Sequence, residues 1–442
     1  MKRRLVRLLL IAVVGLCVLV GVSWWSDHAA GDDSLQASQP TADLVARGAY
    51  LAKLGDCAAC HSIAGQPAFS GGLRMVTPIG AIYSSNITPD PEHGIGRYSL
   101  TDFDRALRFG VADGHTLYPA MPFTSYYNTR PEDVAALYAY FQRGVAPAGI
   151  PNRASDIPFP LSMRWPLTYW RWLFASKPKP FQAPAGSDPT LARGAYFVDG
   201  LGHCGECHTP RGITMQLHAV SASGGGLYLA GAEIDNLFAP SLRSDSTGSL
   251  VDWSEADLTT FLQSGTNAHG IAFGSMSDVI THSTQYMTDE DAHATAHYLK
   301  TIGASSDATL SFAYDNATDA RLKQGDASQR GAQIYLDNCA ACHRPDGRGY
   351  EGVFPALAGN PIVEAPNALS LIGVVMNGST TPKTGKTPAQ FTMPAFAWRL
   401  SDLDIADVVT FIRTSWGNTA PAVTVAQVEP HRPTHSRQGT PK

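Results

Sequence analysis

Apolar positions in this chain follow two patterns. Near the N-terminus, Leu8 to Trp25 form one uncharged run, about long enough to cross a bilayer as a helix. Further on, apolar residues recur at helical spacing in short segments: Val134, Leu137, Tyr138 and Phe141 in one, Ile405, Val408, Val409 and Ile412 in another. No stretch alternates convincingly over a strand length. The pattern therefore predicts an all-α class with much loop and little or no sheet.

The helical segments come in three matched sets with a period of roughly 140 residues. Each set opens with an Arg-Gly segment: "ARGAYLAKLGDCAACH", "ARGAYFVDGLGHCGECH" and "QRGAQIYLDNCAACH". Gly48, Gly194 and Gly331 lie at nearly the same distance before the first cysteine, which fits a helix passing close to another. A glycine- and proline-rich region follows, then a second helical pattern: "LTDFDRALRFGV", "WSEADLTTFLQSGT" and "NALSLIGVVMNGS". The first two of these open with Thr or Ser followed by acidic residues, a usable N-cap. Each set closes with a third helix, beginning near Arg130, Thr288 and Ser401. Pro131 suits a first helical position. Thr288 and Ser401 can cap, with Asp291 and Asp404 three residues on.

The expected organisation is an N-terminal signal or anchor (1–30) and three repeats (42–148, 187–303 and 328–416). A Pro- and aromatic-rich connector (149–186) and a polar linker (304–327) separate the repeats, and an extended C-terminal tail (417–442) follows. Within the connector, Pro166 can begin a short helix from Trp165 to Ser176. Its aromatics and arginines fit two roles: a strap across the repeats, or a docking face for membrane or partner.

Charge narrows the function. Charged residues are 16% of the chain, below the roughly 25% of ordinary soluble domains. With a net charge of −5, nothing points to nucleic acid. Lys2, Arg3, Arg4 and Arg7 precede the apolar run, as in an export signal whose charges stay in the cytoplasm. The run fits a retained anchor, with Trp24-Trp25 as an interfacial pair, or a cleaved signal. His28-Ala29-Ala30 is a poor cleavage site and Gly21-Val22-Ser23 a better one. On either reading the body of the protein lies outside the cytoplasmic membrane. Leu16 before Cys17 fits a lipid-attachment site poorly, so Cys17 reads as a membrane-facing apolar residue.

The chain has seven cysteines, and six lie in three C-x-x-C-H motifs: Cys57, Cys60, His61; Cys204, Cys207, His208; Cys339, Cys342, His343. On a helical turn, residues i and i+3 face one side. Two thiols can then add to the vinyl groups of a porphyrin while the adjacent imidazole reaches the iron, the haem c attachment signature. Zinc would want two such pairs close together, and a thioredoxin-like pair a βαβ context; both are missing. Three covalent haems c with iron are expected.

Each iron needs a second axial ligand. The choices are Met75 or Met121 in the first repeat, Met215, Met276 or Met287 in the second, and Met376 or Met393 in the third. A loop between the second and third helices is the expected place, which selects Met121, Met276 and Met393. Pro122 and Pro394 would stiffen two of these loops. His269 and His282 flank Met276 and leave a bis-histidine haem as the alternative in the second repeat. The other histidines read as surface or core residues. His–Met ligation raises the potential and fills both axial positions, which fits electron relay rather than substrate oxidation by this chain.

The three motifs, with "LSMRWPL", "STQYMTDED" and "IADVVTFIRTSWGN", resemble the triheme cytochrome c subunits of membrane-bound bacterial dehydrogenases. That family includes subunits of alcohol dehydrogenases and looks similar across aldehyde, gluconate, sorbitol and fructose dehydrogenases. The resemblance spans about residues 42 to 420. It implies three tandem class I cytochrome c-like domains, each wrapped around a covalent haem. It also implies a place on the periplasmic side of the inner membrane, and electrons passed from a catalytic subunit of quinoprotein, molybdopterin or flavin type to ubiquinone. A multihaem peroxidase or reductase with a vacant iron site, and a free-standing electron shuttle, are the alternatives.

Overall fold

The computed structural model describes residues 2–31, 35, 40–175, 177–183, 185–245, 250–303 and 312–432. The described chain is mostly helical and divides into two compact units. The first holds Met1–Ala183 with Gly200–His203, the second Pro184–Asp199 with Cys204–Lys442.

In the first unit, the helix Ala42–Leu54 starts where the Thr41 hydroxyl accepts a hydrogen bond from Leu44 N at 3.2 Å. It packs along the helix Pro131–Arg143, which has Pro131 at its first position. At their crossing Gly48 lies against the backbone, and a Cβ there would sit 1.9 Å from the Ala136 carbonyl oxygen. The same pair occurs twice in the second unit, as Pro189–Tyr196 with Asp289–Thr301 and as Arg330–Asn338 with Asp402–Arg413. Gly194 and Gly331 take the place of Gly48, with Cβ positions 2.0 Å from Ala294 O and 2.3 Å from Asp407 O.

The arginine before each glycine also has a task. Arg47 Nε donates to Asp133 at 2.8 Å, Arg193 Nε to Asp291 at 2.7 Å and Arg330 Nη2 to Asp404 at 2.8 Å. Each aspartate is the third residue of its closing helix, where a carboxylate also faces the positive end of the helix dipole. Asp133 is wholly buried, so its arginine neutralises a charge that would otherwise be costly to hide. One Arg-Gly dipeptide thus supplies both a close approach and an ionic clasp.

The intervening helices start as the sequence suggests, with one shift. Ser254 and Asp257 form a capping box ahead of Glu255–Ser264, and Ser99 with Asp102 forms another ahead of Leu100–Arg108, so Thr101 falls inside the helix. The third, Leu369–Asn377, has no side-chain cap. It is held by burial instead, with Leu371, Ile372, Val375 and Met376 in one core with Ile405, Val408, Val409 and Ile412. The second and third repeats pack together within the second unit. Ser370 Oγ accepts from Phe238 N at 2.8 Å and donates to Phe238 O at 2.9 Å, and Thr387 Oγ1 donates to Ser264 O at 2.7 Å.

The expectation of little sheet is met by short hairpins alone, and two other expectations need correction. Among the described residues there are four two-stranded hairpins, at 74–83, 111–116, 232–239 and 379–393. Two turn on Asp113-Gly114 and Asp235-Asn236, whose positive φ values are those of tight hairpin turns. These strands are too short for alternation to show. Residues 417–432 are not extended. Val423 and Val428 join the core of the third repeat, and Arg432 donates to Asp402 at 2.6 Å and to Leu400 O at 2.9 Å. The rest of the tail, and residues 304–311 of the linker, lie outside the described residues. Finally, the connector helix runs from Trp165 but ends at Phe174. Trp170 stands edge-on to buried Phe123 at 6.4 Å, whereas Trp172 and Leu173 are exposed, so the helix has both a strapping and an open side.

Replacing Gly48 by Ala should destabilise the first unit by about 3 kcal/mol, because a backbone carbonyl cannot swing away as a side chain can. Thermal unfolding followed by circular dichroism checks this, with Gly226→Ala, where nothing lies within 4 Å of the added carbon, as the silent control. Equal melting of both variants would contradict the close-crossing account.

Candidate haem-attachment sites

Each C-x-x-C-H motif forms a short helical turn directly after the first helix of its pair. The turns are Cys57–His61, Gly205–His208 and Ala340–His343. In the first, Asp56 adopts a left-handed conformation, φ 53°, which breaks the preceding helix and re-aims the chain. In the second, the helix Pro189–Tyr196 runs into a wider turn, Phe197–Leu201. The six motif cysteines are partly buried and none is in a disulfide.

Burial sets the protonation of these groups. It pushes the Cys57 thiol up to about 12, helped by the charge of Asp56 and by Cys60. Cys204 is raised to about 12 by burial and then by Asp199, and Cys339 to about 12 by burial and then Cys342. Burial lowers the pKa of His61, His208 and His343. The first thiol of each pair and the imidazole beside it are thereby held neutral.

The imidazoles are also oriented. His61 Nδ1 lies 2.7 Å from Ser85 O, His208 Nδ1 2.7 Å from Pro240 O, and His343 Nδ1 3.0 Å from Pro355 O. A carbonyl oxygen can only accept, so Nδ1 carries the proton and Nε2 keeps its lone pair, the form in which imidazole binds a metal.

A glycine also holds the backbone carbonyl of each motif histidine. Gly71 N, Gly231 N and Gly349 N donate to the carbonyls of His61, His208 and His343 at 2.8, 2.8 and 3.1 Å. All three glycines have positive φ, and their Cβ positions would fall 2.4 Å from Ser85 C, 3.1 Å from Ser241 N and 2.6 Å from Pro355 O. Each therefore ties the motif to the strand or loop that presents the accepting carbonyl. Sequence reasoning missed these glycines and acceptors. The glycines follow their histidines at unequal distances, and a backbone carbonyl leaves no mark in the sequence.

The methionines separate by environment. Met376 is fully buried in the core of the third repeat, and Met287 is buried in the second, where both fill space. Met215 sits on an exposed turn, and Met75 on a hairpin strand opposite Ile82. Met121, Met276 and Met393 are each partly buried. Met121 precedes the short helix Phe123–Tyr126, as a loop residue should. Met393 lies on a two-residue strand paired with Ser379. Met276 is not in a loop. It occupies the first turn of the helix Ser275–His282, opened by Gly274 at φ 56°. His269 stacks on Trp253 at 5.1 Å and reaches Asp257 at 3.4 Å, while His282 is exposed, an arrangement that gives the bis-histidine alternative no support.

Known proteins carry the same reading across the chain. A family model described as "Cytochrome c" matches residues 328–416. Over 398 residues the chain is 52% identical to the "Gluconate 2-dehydrogenase cytochrome c subunit" of Pantoea cypripedii, covering 89% of this chain and 90% of that protein. It is 50% identical over 404 residues to the "Alcohol dehydrogenase (quinone), cytochrome c subunit" of Gluconacetobacter polyoxogenes, covering 90% and 86%. It is 36% identical over 406 residues to the "Fructose dehydrogenase cytochrome subunit" of Gluconobacter japonicus, covering 87% and 82%. Similarity at this level along nearly the whole length, joined to the thiol pairs and oriented imidazoles, makes the chain a member of the family of dehydrogenase cytochrome c subunits, whose work is electron transfer.

Proposed function

We propose that the chain holds three covalent haems c, one in each repeat, and relays electrons from a dehydrogenase catalytic subunit to ubiquinone at the periplasmic face of the inner membrane. The observation that carries this reading is threefold: the same turn of two thiols and one imidazole, clamped through Nδ1, occurs in every repeat. Cys57 and Cys60, Cys204 and Cys207, and Cys339 and Cys342 would form the thioethers. Each attachment would add one S–H across a vinyl double bond, with sulfur on one carbon and hydrogen on the other. His61, His208 and His343 would hold the iron through Nε2, together with Met121, Met276 and Met393. Bound haem c supplies one-electron redox chemistry at its iron.

The chain's own residues set the conditions for that chemistry. The carbonyls of Ser85, Pro240 and Pro355 fix each imidazole ring and its tautomer, so a change of charge at the iron need not be followed by movement of the ligand. A thioether opposite imidazole favours the reduced metal and raises the potential. The relatives are named for oxidation of gluconate, alcohol and fructose, and this chain's partner fits the same class, an alcohol- or aldehyde-type dehydrogenase. Oxidation of an alcohol releases two electrons and two protons, as does that of an aldehyde with one water taken up, and ubiquinone accepts the same number to become ubiquinol. Lys2, Arg3, Arg4 and Arg7 before the apolar helix Lys2–Ala29 support the orientation, with the basic end cytoplasmic and the repeats outside.

Replacing Met393 by Leu keeps the volume and removes the sulfur. The sulfur-to-iron charge-transfer absorption should fall by about one third while the haem remains attached. An unchanged spectrum would move the ligand elsewhere in the third repeat. For the function itself, a tagged chain solubilised from membranes in mild detergent should bring down a larger subunit, and the pair should reduce a short-chain ubiquinone with an alcohol or aldehyde as donor. Isolation of the chain alone, with no such subunit in the parent membrane, would favour a free-standing shuttle.

A further inference from the structure

We propose that Asp199 is a proton acceptor coupled to the second haem: its carboxylate takes up one proton from solvent on reduction of that haem and releases it on reoxidation. This rests on the reading that Cys204, Cys207 and His208 hold a haem, and it adds a proton site that no attachment motif contains.

Asp199 lies in the turn Phe197–Leu201, five residues after the crossing glycine Gly194 and five before Cys204. The same step from Gly48 and Gly331 reaches Lys53 and Leu336, so this position carries a carboxylate in the second repeat alone. Both carboxylate oxygens are bonded. Oδ1 accepts from Tyr228 OH at 2.6 Å, and Oδ2 accepts from Tyr298 OH at 2.7 Å. Tyr228 comes from the loop that follows the motif, and Tyr298 from the closing helix Asp289–Thr301. The tyrosines are 1% and 8% exposed, so two buried phenols from distant parts of the repeat converge on one carboxylate.

The kind of donor matters. Three buried aspartates elsewhere are clasped by arginine: Asp133 by Arg47, Asp104 by Arg108 and Asp291 by Arg193. A guanidinium holds a carboxylate in its charged form, whereas a phenol leaves it free to take a proton. Among the described residues no ion pair reaches Asp199. On the helices around it, Arg193 is engaged with Asp291, Lys300 with Leu250 O, and His293 and His297 with Glu255. Glu206 on the motif turn is paired with Arg211, and Arg243 with Asp245. The groups that face Asp199 are therefore the two phenols and the Cys204 thiol. Burial outweighs the two tyrosine bonds and pushes the Asp199 carboxyl up to about 6. Burial raises both tyrosines as well, so they stay proton-bearing donors.

The link to the haem runs through Cys204. The negative charge of Asp199 helps to raise that thiol, so it is felt at the sulfur that would join the porphyrin. A negative charge there opposes the arrival of an electron, and a proton on Asp199 removes the opposition. One electron from the catalytic partner and one proton from solvent arrive together, and the net charge of the site is unchanged. On reoxidation the electron goes on toward quinone and the proton returns to solvent, so no further reactant is needed. The reduced form binds the proton more tightly, and reduction becomes harder as pH rises through the range of Asp199.

The test uses the full chain, loaded with haem and purified from membranes. Infrared difference spectra on reduction near pH 6 should show a new carbonyl band of a protonated carboxyl group, absent in Asp199→Asn. Asn keeps the shape and can still bond both phenols. In redox titrations from about pH 5 to about pH 8, the reduced fraction of one haem at fixed potential should fall several-fold. Asp199→Asn should abolish this fall and hold that haem at its low-pH behaviour. Tyr298→Phe removes a bond that favours the charged carboxylate and should move the fall to higher pH. The same band and the same pH profile in the parent and in Asp199→Asn, with three haems by intact mass, would overturn the proposal alone. An unmoved fall in Tyr298→Phe would overturn it as well, whether or not Asp199→Asn folds. A mass showing no haem on Cys204 and Cys207 would overturn the haem reading, and the proposal with it.

Discussion

Three glycines lie in contact with backbone carbonyls on the facing helix, and the rest of each repeat is arranged around that contact. With no side chain at Gly48, Gly194 or Gly331, the two helices of a pair come close enough for the preceding arginine to reach the third residue of its partner. The ion pair is anchored where the helix dipole already favours a carboxylate, so one geometric constraint is reinforced by two electrostatic terms. The C-x-x-C-H turn follows directly from the glycine-bearing helix. Where that helix lies decides where the thiols and the imidazole point.

A second constraint acts on the imidazole. Burial keeps the ring neutral, and a backbone carbonyl chooses which nitrogen carries the proton. Neither could do the other's work, because a buried but unbonded ring could flip, and a bonded but exposed ring could protonate. Positive-φ glycines hold the accepting segment against the motif in each repeat, though the intervening loops differ in length and sequence. The device is repeated in three dimensions without being repeated in the chain.

That difference explains what could be read from the sequence. The helical turn of the motif is local, so its chemistry is written in five residues. The Arg-Gly dipeptides and the capping residues Thr288 and Ser401 are local too. The aspartate partners were visible only as acidic residues in a first helical turn, since nothing local says that Asp133 faces Arg47. The acceptors Ser85, Pro240 and Pro355 act through backbone, where residue identity has little say. Met276 lies between the second and third helices, where a loop is expected, yet Gly274 at positive φ opens a helix there instead. The tail is hard to read because its small apolar residues alternate with Pro, Thr and Gln at no helical or strand spacing, and only the burial of Val423 and Val428 in the third repeat's core shows their role.

The central claim is that one scaffold is used three times to hold three haems. The most direct measurement is the intact mass of the denatured protein matured with a working haem-attachment system. The account predicts three haem additions, falling to two when Cys339 and Cys342 are both replaced by alanine. A parent protein carrying two additions or fewer would contradict it.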